Sequence, residues 1–164
     1  MVSTVTNMRT LLKDIHDYTA RSNLMWTSAM AENGILKVGR LTDFEAHQIE
    51  HQLGAYTDCN HGQGLAVIHP AYYRRIAGDA PEKFARLGRV VFGLPAGAAP
   101  QAAVDALAAF IAECGLPTRL GQLRSTAVID KDLLRKVADS CSLIPTNPRP
   151  LTRDEVYDIL CACL

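Results

Sequence analysis

The sequence predicts an all-α fold, a bundle of several helices. Apolar residues recur at every third or fourth position along nearly the whole chain, and the alternating apolar and polar stretches typical of strands are missing. Residues that begin and end helices stand between these segments. Pro81 and Pro100 suit first helical positions, and Gly93 and Gly115 suit left-handed caps. The chain has 164 residues, enough to bury a core, so we expect 1–164 to form a single helical domain.

The first three helices are predicted from their periodicity and their ends. The first is expected over roughly 7–18 and the second over roughly 20–32, ended by Asn33-Gly34. Met25 and Trp26, with their apolar neighbours in the second helix, indicate that this helix is buried. The third helix is predicted to begin in a capping box, in which Thr42 accepts from the amide of Glu45 and the Glu45 side chain reaches back.

Five more helices follow along the chain. The fourth is expected from His61-Gly62 to about Arg75, and the next two begin at the two prolines named above. Asp130 caps a helix to about Ser140, and a second capping box at 152–155 opens the last one. The glycines neither follow a strand nor form a G-x-G-x-x-G pattern, so we expect no cofactor-binding residues for a dinucleotide in this chain.

Charge and composition exclude several classes of partner. Lys plus Arg number 17 and Asp plus Glu also 17, so a basic surface for nucleic acid is not expected. The longest apolar stretch, 96–111, is interrupted by polar residues and is shorter than the roughly 20 residues of a membrane-spanning helix. The first residues do not resemble an export signal, and five irregularly spaced cysteines favour reduced thiols. We therefore expect a soluble, cytoplasmic protein with no membrane or nucleic-acid partner.

Three of the five histidines, His47, His51 and His61, fall within fifteen residues. On a helix, His47 and His51 share one face, whereas Ile49 and Leu53 lie on another, which implies two buried faces. Buried imidazoles need partners for their ring nitrogens, and a metal ion is one such partner. Solvated or core histidines remain the other interpretation of a helical H-x-x-x-H motif. A zinc-protease HExxH motif is excluded, because glutamine follows the first histidine.

Several segments together resemble one enzyme family. The run from Ala46 to Val67 looks like the signature of iron-containing alcohol dehydrogenases, with the NADP-dependent butanol dehydrogenases nearest. The segments 21–26, 81–85, 115–118 and 150–153 resemble further landmarks of that family in the same order. The resemblance covers nearly the whole chain and implies the helical, metal-binding C-terminal domain of a two-domain enzyme.

The resemblance also implies roles for the histidines. Two metal ligands of the family fall on His47 and His61, which would hold Fe²⁺ or Zn²⁺, and His51 would line the cleft as a catalytic residue that orients a ligand or assists proton movement. The resemblance places the family's other two ligands, an Asp-x-x-x-His pair, on a helix upstream of this chain, and Asp14-x-His16 has the wrong spacing to replace them. His69 departs from the family, which usually has an apolar residue at that position.

The implied activity is reversible reduction of small aldehydes to primary alcohols, with NADP(H) held by a nucleotide-binding domain that the sequence lacks. We expect the chain alone to bind metal weakly and not to turn over. Three hypotheses follow: a subunit completed by a separate nucleotide-binding subunit, a truncated remnant without catalysis, or a helical metal-binding or interaction module. A homo-oligomer is compatible with each of them.

Overall fold

The structure, a computed structural model, describes all 164 residues and contains eight α-helices and no strand. In chain order they are α1 (Val2–Leu11), α2 (Tyr18–Glu32), α3 (Glu45–Thr57), α4 (His61–Ile76), α5 (Pro81–Phe92), α6 (Pro100–Glu113), α7 (Lys131–Ser140) and α8 (Arg153–Cys161). Three short 3₁₀ turns lie at 35–37, 77–79 and 120–122. The predicted all-α fold is confirmed. None of the helices is both long and apolar enough to cross a lipid bilayer.

The main core lies between α3, α4, α7 and α8, with α5 and α6 packed beside α4. Its fully buried side chains include Ile49 and Leu53 from α3, Ile68 from α4, Leu134 from α7 and Leu160 from α8. Truncating one such leucine to alanine in a well-packed core costs about 2–5 kcal/mol. This packing holds α3 and α4 side by side, and these two helices carry the histidines.

The prediction that α2 is buried is wrong. Met25 is 76% exposed and Trp26 is 69% exposed, and Ala20 is the only buried residue of the helix. The physical reason is that α2 packs mainly against α1, a short helix with one buried residue, Val5. Met25 and Trp26 therefore lie on a surface that little else in the chain covers.

The predicted bounds of the first helix and the predicted start of the third helix are also wrong. The first helix spans Val2–Leu11 and ends well before Asp17, because the Asp17 side chain accepts from the amide of Ala20 at 2.8 Å and begins α2 instead. The third helix has no capping box at Thr42. Asp43 accepts from the amide of Glu45 at 2.9 Å, while the Glu45 carboxylate is buried and accepts from the amide of Ile144 at 2.6 Å.

The remaining predicted ends agree with the structure. The fourth, fifth and sixth helices begin at His61, Pro81 and Pro100, and the left-handed glycine caps fall where expected. The Asp130 side chain caps α7, and the Thr152–Glu155 capping box forms at the start of α8. The five cysteines are free thiols, and Cys163 packs in the core.

Candidate metal centre

A tight connection between α3 and α4 brings the histidines together. Asp58 ends α3 in the left-handed conformation, with φ of 52°. Two residues later, the Asn60 side chain accepts from the amide of Gln63 at 3.1 Å and begins α4. Because the chain reverses over so few residues, His61 at the start of α4 returns to the face of α3 that carries His47 and His51.

The three imidazoles lie close enough to share one ion. The ring centroids of His51 and His61 are 5.3 Å apart, those of His47 and His61 are 5.6 Å apart, and those of His47 and His51 are 6.2 Å apart. Two imidazoles that coordinate one tetrahedral metal ion place their centroids about 5 Å apart. Small side-chain rotations therefore suffice to direct these rings at a common ion.

The buried carboxylate of Glu50 orients His61. Glu50 is 2% exposed, and its Oε2 pairs with Nδ1 of His61. A carboxylate accepts hydrogen bonds, so Nδ1 carries the proton and Nε2 is left with a lone pair for a metal ion. Asp58, the residue that ends α3, is exposed, and its side chain makes no hydrogen bond in the structure.

The nearest potential ligand atoms are not the pair that the resemblance implies. One ligand atom each from Glu50, His51 and His61 lie within 4.8 Å of one another, and His47 falls outside that group. His51 is thus as near to His61 as His47 is. The assignment of His47 and His61 as ligands, and of His51 as a catalytic residue, stays a prediction.

The histidine face of α3 is more open than the sequence indicated. The prediction of two buried faces holds for Ile49 and Leu53, which are fully buried, but His51 and His61 are exposed and His47 is half-buried. Burial of His47, followed by the charges of His61 and His51, lowers its pKa below the ordinary value of 6.5. A neutral imidazole keeps the lone pair that a metal ligand needs.

A fourth histidine, His69 on α4, joins the cluster. Its ring centroid is 6.0 Å from that of His47, and its Nδ1 lies 3.0 Å from the carbonyl oxygen of Leu65. Burial lowers the pKa of His69.

The remaining histidine, His16, is exposed and lies outside the cluster, and its amide pairs with the side chain of its neighbour Asp14. We call His47, His51, His61 and His69 the histidine cluster.

A cavity of about 750 Å³ adjoins the histidine cluster. Tyr73 connects the two, because its ring lies 5.2 Å from that of His69 and 5.4 Å from that of Phe84, and both Tyr73 and Phe84 line the cavity. Its other apolar lining includes Leu41, Ile76 and Leu87, with acidic groups among the remainder. The volume falls within the usual range for small-molecule sites.

The helical fold and the position of the histidines can now be compared with known proteins. All of the chain, residues 1–164, matches the C-terminal part of the Fe-containing alcohol dehydrogenase family. The chain belongs to this family. Its members include iron-dependent alcohol and butanol dehydrogenases, which are oxidoreductases.

Curated relatives of this family agree with the assignment. The chain is 36% identical over 152 residues to NADH-dependent butanol dehydrogenase B of Clostridium acetobutylicum, a match that covers 87% of this chain and 38% of the relative. It is 28% identical over 131 residues to the NADPH-dependent aldehyde reductase YqhD of Escherichia coli, covering 78% and 34% respectively. The chain therefore spans less than half the length of these iron-containing alcohol dehydrogenases.

Solved structures of the family share the fold. The chain superposes on NADH-dependent butanol dehydrogenase A of Thermotoga maritima with a TM-score of 0.84 and 27% identity, over 98% of this chain and 43% of that one. The helical bundle of this chain thus has the fold of the corresponding part of that longer relative. Because the relatives include NADH-dependent and NADPH-dependent enzymes, the expected preference for NADP(H) stays a prediction.

Proposed function

We propose that residues 1–164 form the metal-binding domain of an alcohol dehydrogenase that interconverts small aldehydes and primary alcohols. In this proposal His47 and His61 hold Fe²⁺ or Zn²⁺. The observation that carries it is the convergence of His47, His51 and His61 beside a buried carboxylate, Glu50, in a chain of this family.

The chemistry of the donor set fits the proposed ion. Imidazole nitrogens suit both iron and zinc, and the pairing of Nδ1 of His61 with Glu50 leaves Nε2 of that ring free. The lowered pKa of His47 keeps its imidazole neutral near pH 7. A buried anion beside these rings also favours a cation in the cluster. When bound there, iron or zinc supplies Lewis-acid polarisation of the substrate oxygen.

His51 is proposed to act on the substrate side of the cluster. Its side chain is exposed, makes no hydrogen bond within the chain, and lies 5.3 Å from His61 between ring centroids. An imidazole so placed can donate to or accept from the oxygen of a bound alcohol or aldehyde and can hold a proton there. The same proximity makes His51 the alternative ligand if His47 does not coordinate.

The neighbouring cavity supports a small organic substrate. Its wall includes Tyr73 and Phe84 and is largely apolar, and the ring of Tyr73 lies 5.2 Å from that of His69. Burial raises the pKa of Tyr73 to about 12, so this wall carries a neutral phenol at physiological pH. We propose that the carbon chain of the substrate lies along this wall, with its oxygen at the histidine cluster.

Hydride transfer requires a nicotinamide cofactor, and we propose that a nucleotide-binding domain supplies it, in the same polypeptide or in a separate subunit. The exposed apolar surface of α2 and the following segment supports a contact with such a domain or with a second copy of the chain. Met25, Trp26, Val38 and Leu41 are each more than two thirds exposed. Contiguous exposed apolar side chains commonly mark an interaction surface. A cytoplasmic location also stays a prediction.

The same surface favours the second candidate, a non-catalytic helical interaction module. Measuring activity in the presence of a nucleotide-binding domain of the family separates the two. NADPH- or NADH-dependent reduction of butyraldehyde that requires both components supports the enzyme. A complex that forms without turnover, in the presence of Fe²⁺ or Zn²⁺, supports the module.

The metal site itself is tested by elemental analysis of the chain purified without chelator. We expect iron or zinc in the wild-type chain, at less than one ion per chain because the chain alone binds metal weakly, and its loss from the His47→Ala, His61→Ala double variant. His16→Ala is the matched control, because it removes a histidine outside the cluster. Equal metal content in all three proteins, or in none, would contradict the proposed site. Single variants at His47 and His51 then decide which of the two coordinates.

A further inference from the structure

His47 lacks a hydrogen-bond acceptor for its ring, and His69 lies beside it. A metal-binding imidazole uses one nitrogen for the metal and normally donates the N–H of the other to a nearby acceptor, which fixes its tautomer and orientation. His61 has such an acceptor in Glu50. Neither ring nitrogen of His47 has a hydrogen-bond partner in the structure, although the ring is half-buried.

The tautomer of His69 is fixed by its own hydrogen bond. Its Nδ1 lies 3.0 Å from the backbone carbonyl oxygen of Leu65, and a carbonyl oxygen can only accept. Nδ1 therefore donates, and in the neutral imidazole Nε2 carries a lone pair. No hydrogen bond within the chain uses Nε2. Among the imidazoles around His47, His69 is thus the one whose free acceptor nitrogen is set by the backbone.

We propose that His69 is a positioning residue for His47, and that its Nε2 accepts the N–H of the His47 ring when that ring holds a metal. His69 would thereby do for His47 what Glu50 does for His61. This inference rests on the proposed metal site. It assigns a role to a side chain for which the resemblance to the family offers none.

The geometry of the two rings is compatible with this bond. Their centroids are 6.0 Å apart, and their planes meet at 81°. A direct N–H···N bond of about 3 Å between two imidazoles places the centroids about 5 Å apart. A movement of about 1 Å closes the gap, and rotation of the half-buried His47 side chain is sufficient for it. Tyr73 packs on the other ring, at 5.2 Å from His69, and limits movement of the acceptor.

The alternatives around His47 fit less well. Phe44, whose ring is 4.7 Å from that of His47, has no acceptor nitrogen or oxygen. Nδ1 of His61 is already paired with Glu50. His51 is exposed and no bond fixes its tautomer, so its nitrogens are free to exchange hydrogen bonds with water. His69 combines a defined acceptor nitrogen with partial burial, which strengthens the hydrogen bond.

The test compares His69→Leu with His69→Gln. Leucine fills the space with a helix-compatible apolar side chain but removes the acceptor, whereas the glutamine amide oxygen can reach the position of Nε2. We measure Co²⁺ affinity by competition with a chromophoric chelator, together with the visible absorption of bound Co²⁺. His69→Leu is expected to lose about 10- to 100-fold in affinity, and His69→Gln to regain most of it. Circular dichroism and thermal unfolding verify that both variants fold.

A second measurement needs no metal. Long-range ¹H–¹⁵N correlation spectra of the metal-free chain report which nitrogen of each imidazole carries the proton. We expect the Nδ1–H tautomer at His69, and the Nε2–H tautomer there would overturn the inference. Unchanged Co²⁺ affinity and absorption in a folded His69→Leu variant would also overturn it. If the wild type and the His47→Ala, His61→Ala variant bind Co²⁺ equally, the proposed metal site fails first and the role of His69 fails with it.

Discussion

The buried carboxylate of Glu50 accepts a hydrogen bond from Nδ1 of His61, whose imidazole is half exposed to solvent. Glu50 projects from α3 and His61 begins α4, so this pair joins the two helices of the candidate metal centre. A charge-assisted bond of this kind is stronger than a neutral one, and its burial makes each partner costly to remove. The pair therefore links the proposed metal site to the packing of α3 on α4.

The Glu50→Gln variant is expected to bind metal more weakly. The substitution keeps the size of the side chain but removes its charge. His61 then loses an anion that both fixes its Nδ1–H tautomer and makes its Nε2 more basic. We expect Zn²⁺ or Co²⁺ affinity to fall about 10- to 100-fold, measured by chelator competition.

Glu45→Gln is the matched control for this variant. Glu45 is a fully buried glutamate on the same helix, but its carboxylate accepts from the amide of Ile144 and not from an imidazole. It should change the free energy of unfolding and leave metal affinity unchanged. An equal loss of affinity in both variants would mean that Glu50 acts through stability alone.

Gly64→Ala is expected to disturb the same pair by steric contact. A Cβ atom at Gly64 would lie 2.7 Å from Oε1 and 2.9 Å from Cγ of Glu50, and Glu50 is too buried to move freely. Overpacking of this kind costs about 1–3 kcal/mol of stability, and displacement of Glu50 should weaken metal binding as well. Denaturant titration and Co²⁺ competition measure the two effects.

Gly62→Ala, near the start of the same helix, provides the comparison. Its added Cβ would meet only the Asn60 side chain, at 3.5 Å, which is ordinary contact. Alanine is the better helix former, so stability should be unchanged or rise by up to about 1 kcal/mol. A Gly64→Ala variant as stable and as metal-competent as Gly62→Ala would refute the close packing of α4 on Glu50.

The sequence predicts the helices and histidines of this site better than it predicts the burial and contacts of their side chains. The helices, most of their ends and the shared face of His47 and His51 follow from periodicity and capping residues, and the placement of His61 beside His47 is implied by the resemblance to the family. The pairing of Glu50 with His61 does not follow from the sequence, because it depends on how α3 and α4 cross. In the sequence alone, a buried acid on a helix looks the same as an acid on its exposed surface. In the sequence, His69 likewise stands out only as a departure from the family, because its distance to His47 depends on the tertiary structure.

The burial of α2 shows the opposite error. The apolar content of the second helix, including Met25 and Trp26, predicts burial, yet both side chains are exposed. Apolar content does not identify what covers a helix, and exposed apolar side chains can lie on an interaction surface. The capping box expected at Thr42 failed for a related reason, because the Glu45 carboxylate is taken by the amide of Ile144, far along the chain.

Stability of the metal-free chain should decline as the pH falls below about 6.5, the ordinary pKa of histidine. Burial lowers the pKa values of His47 and His69 in the folded chain. The unfolded chain therefore binds more protons in this range, so the free energy of unfolding falls with pH. Denaturant titrations at about pH 8 and about pH 5 measure the loss.

His69→Leu should reduce that loss, because it removes one of the two imidazoles whose pKa values are lowered by burial. Glu155 does not interfere in this range. Its pKa is lowered to about 2 by the amide of Thr152 and the guanidinium of Arg149, so its contribution is lost only as the pH falls from its ordinary value of 4.5 toward about 2. A pH dependence that is the same in wild type and His69→Leu would contradict the assigned burial of His69.

The single tryptophan offers a direct test of the apolar surface on α2. Trp26 is 69% exposed, so its fluorescence in the isolated chain should be quenched efficiently by a soluble quencher such as acrylamide. Addition of a nucleotide-binding domain of the family should reduce quenching and shift the emission to shorter wavelength, because the indole becomes desolvated. Met25→Ser should weaken this response, since Met25 shares the exposed surface. A complex that forms while Trp26 stays fully quenchable would place the contact elsewhere on the domain.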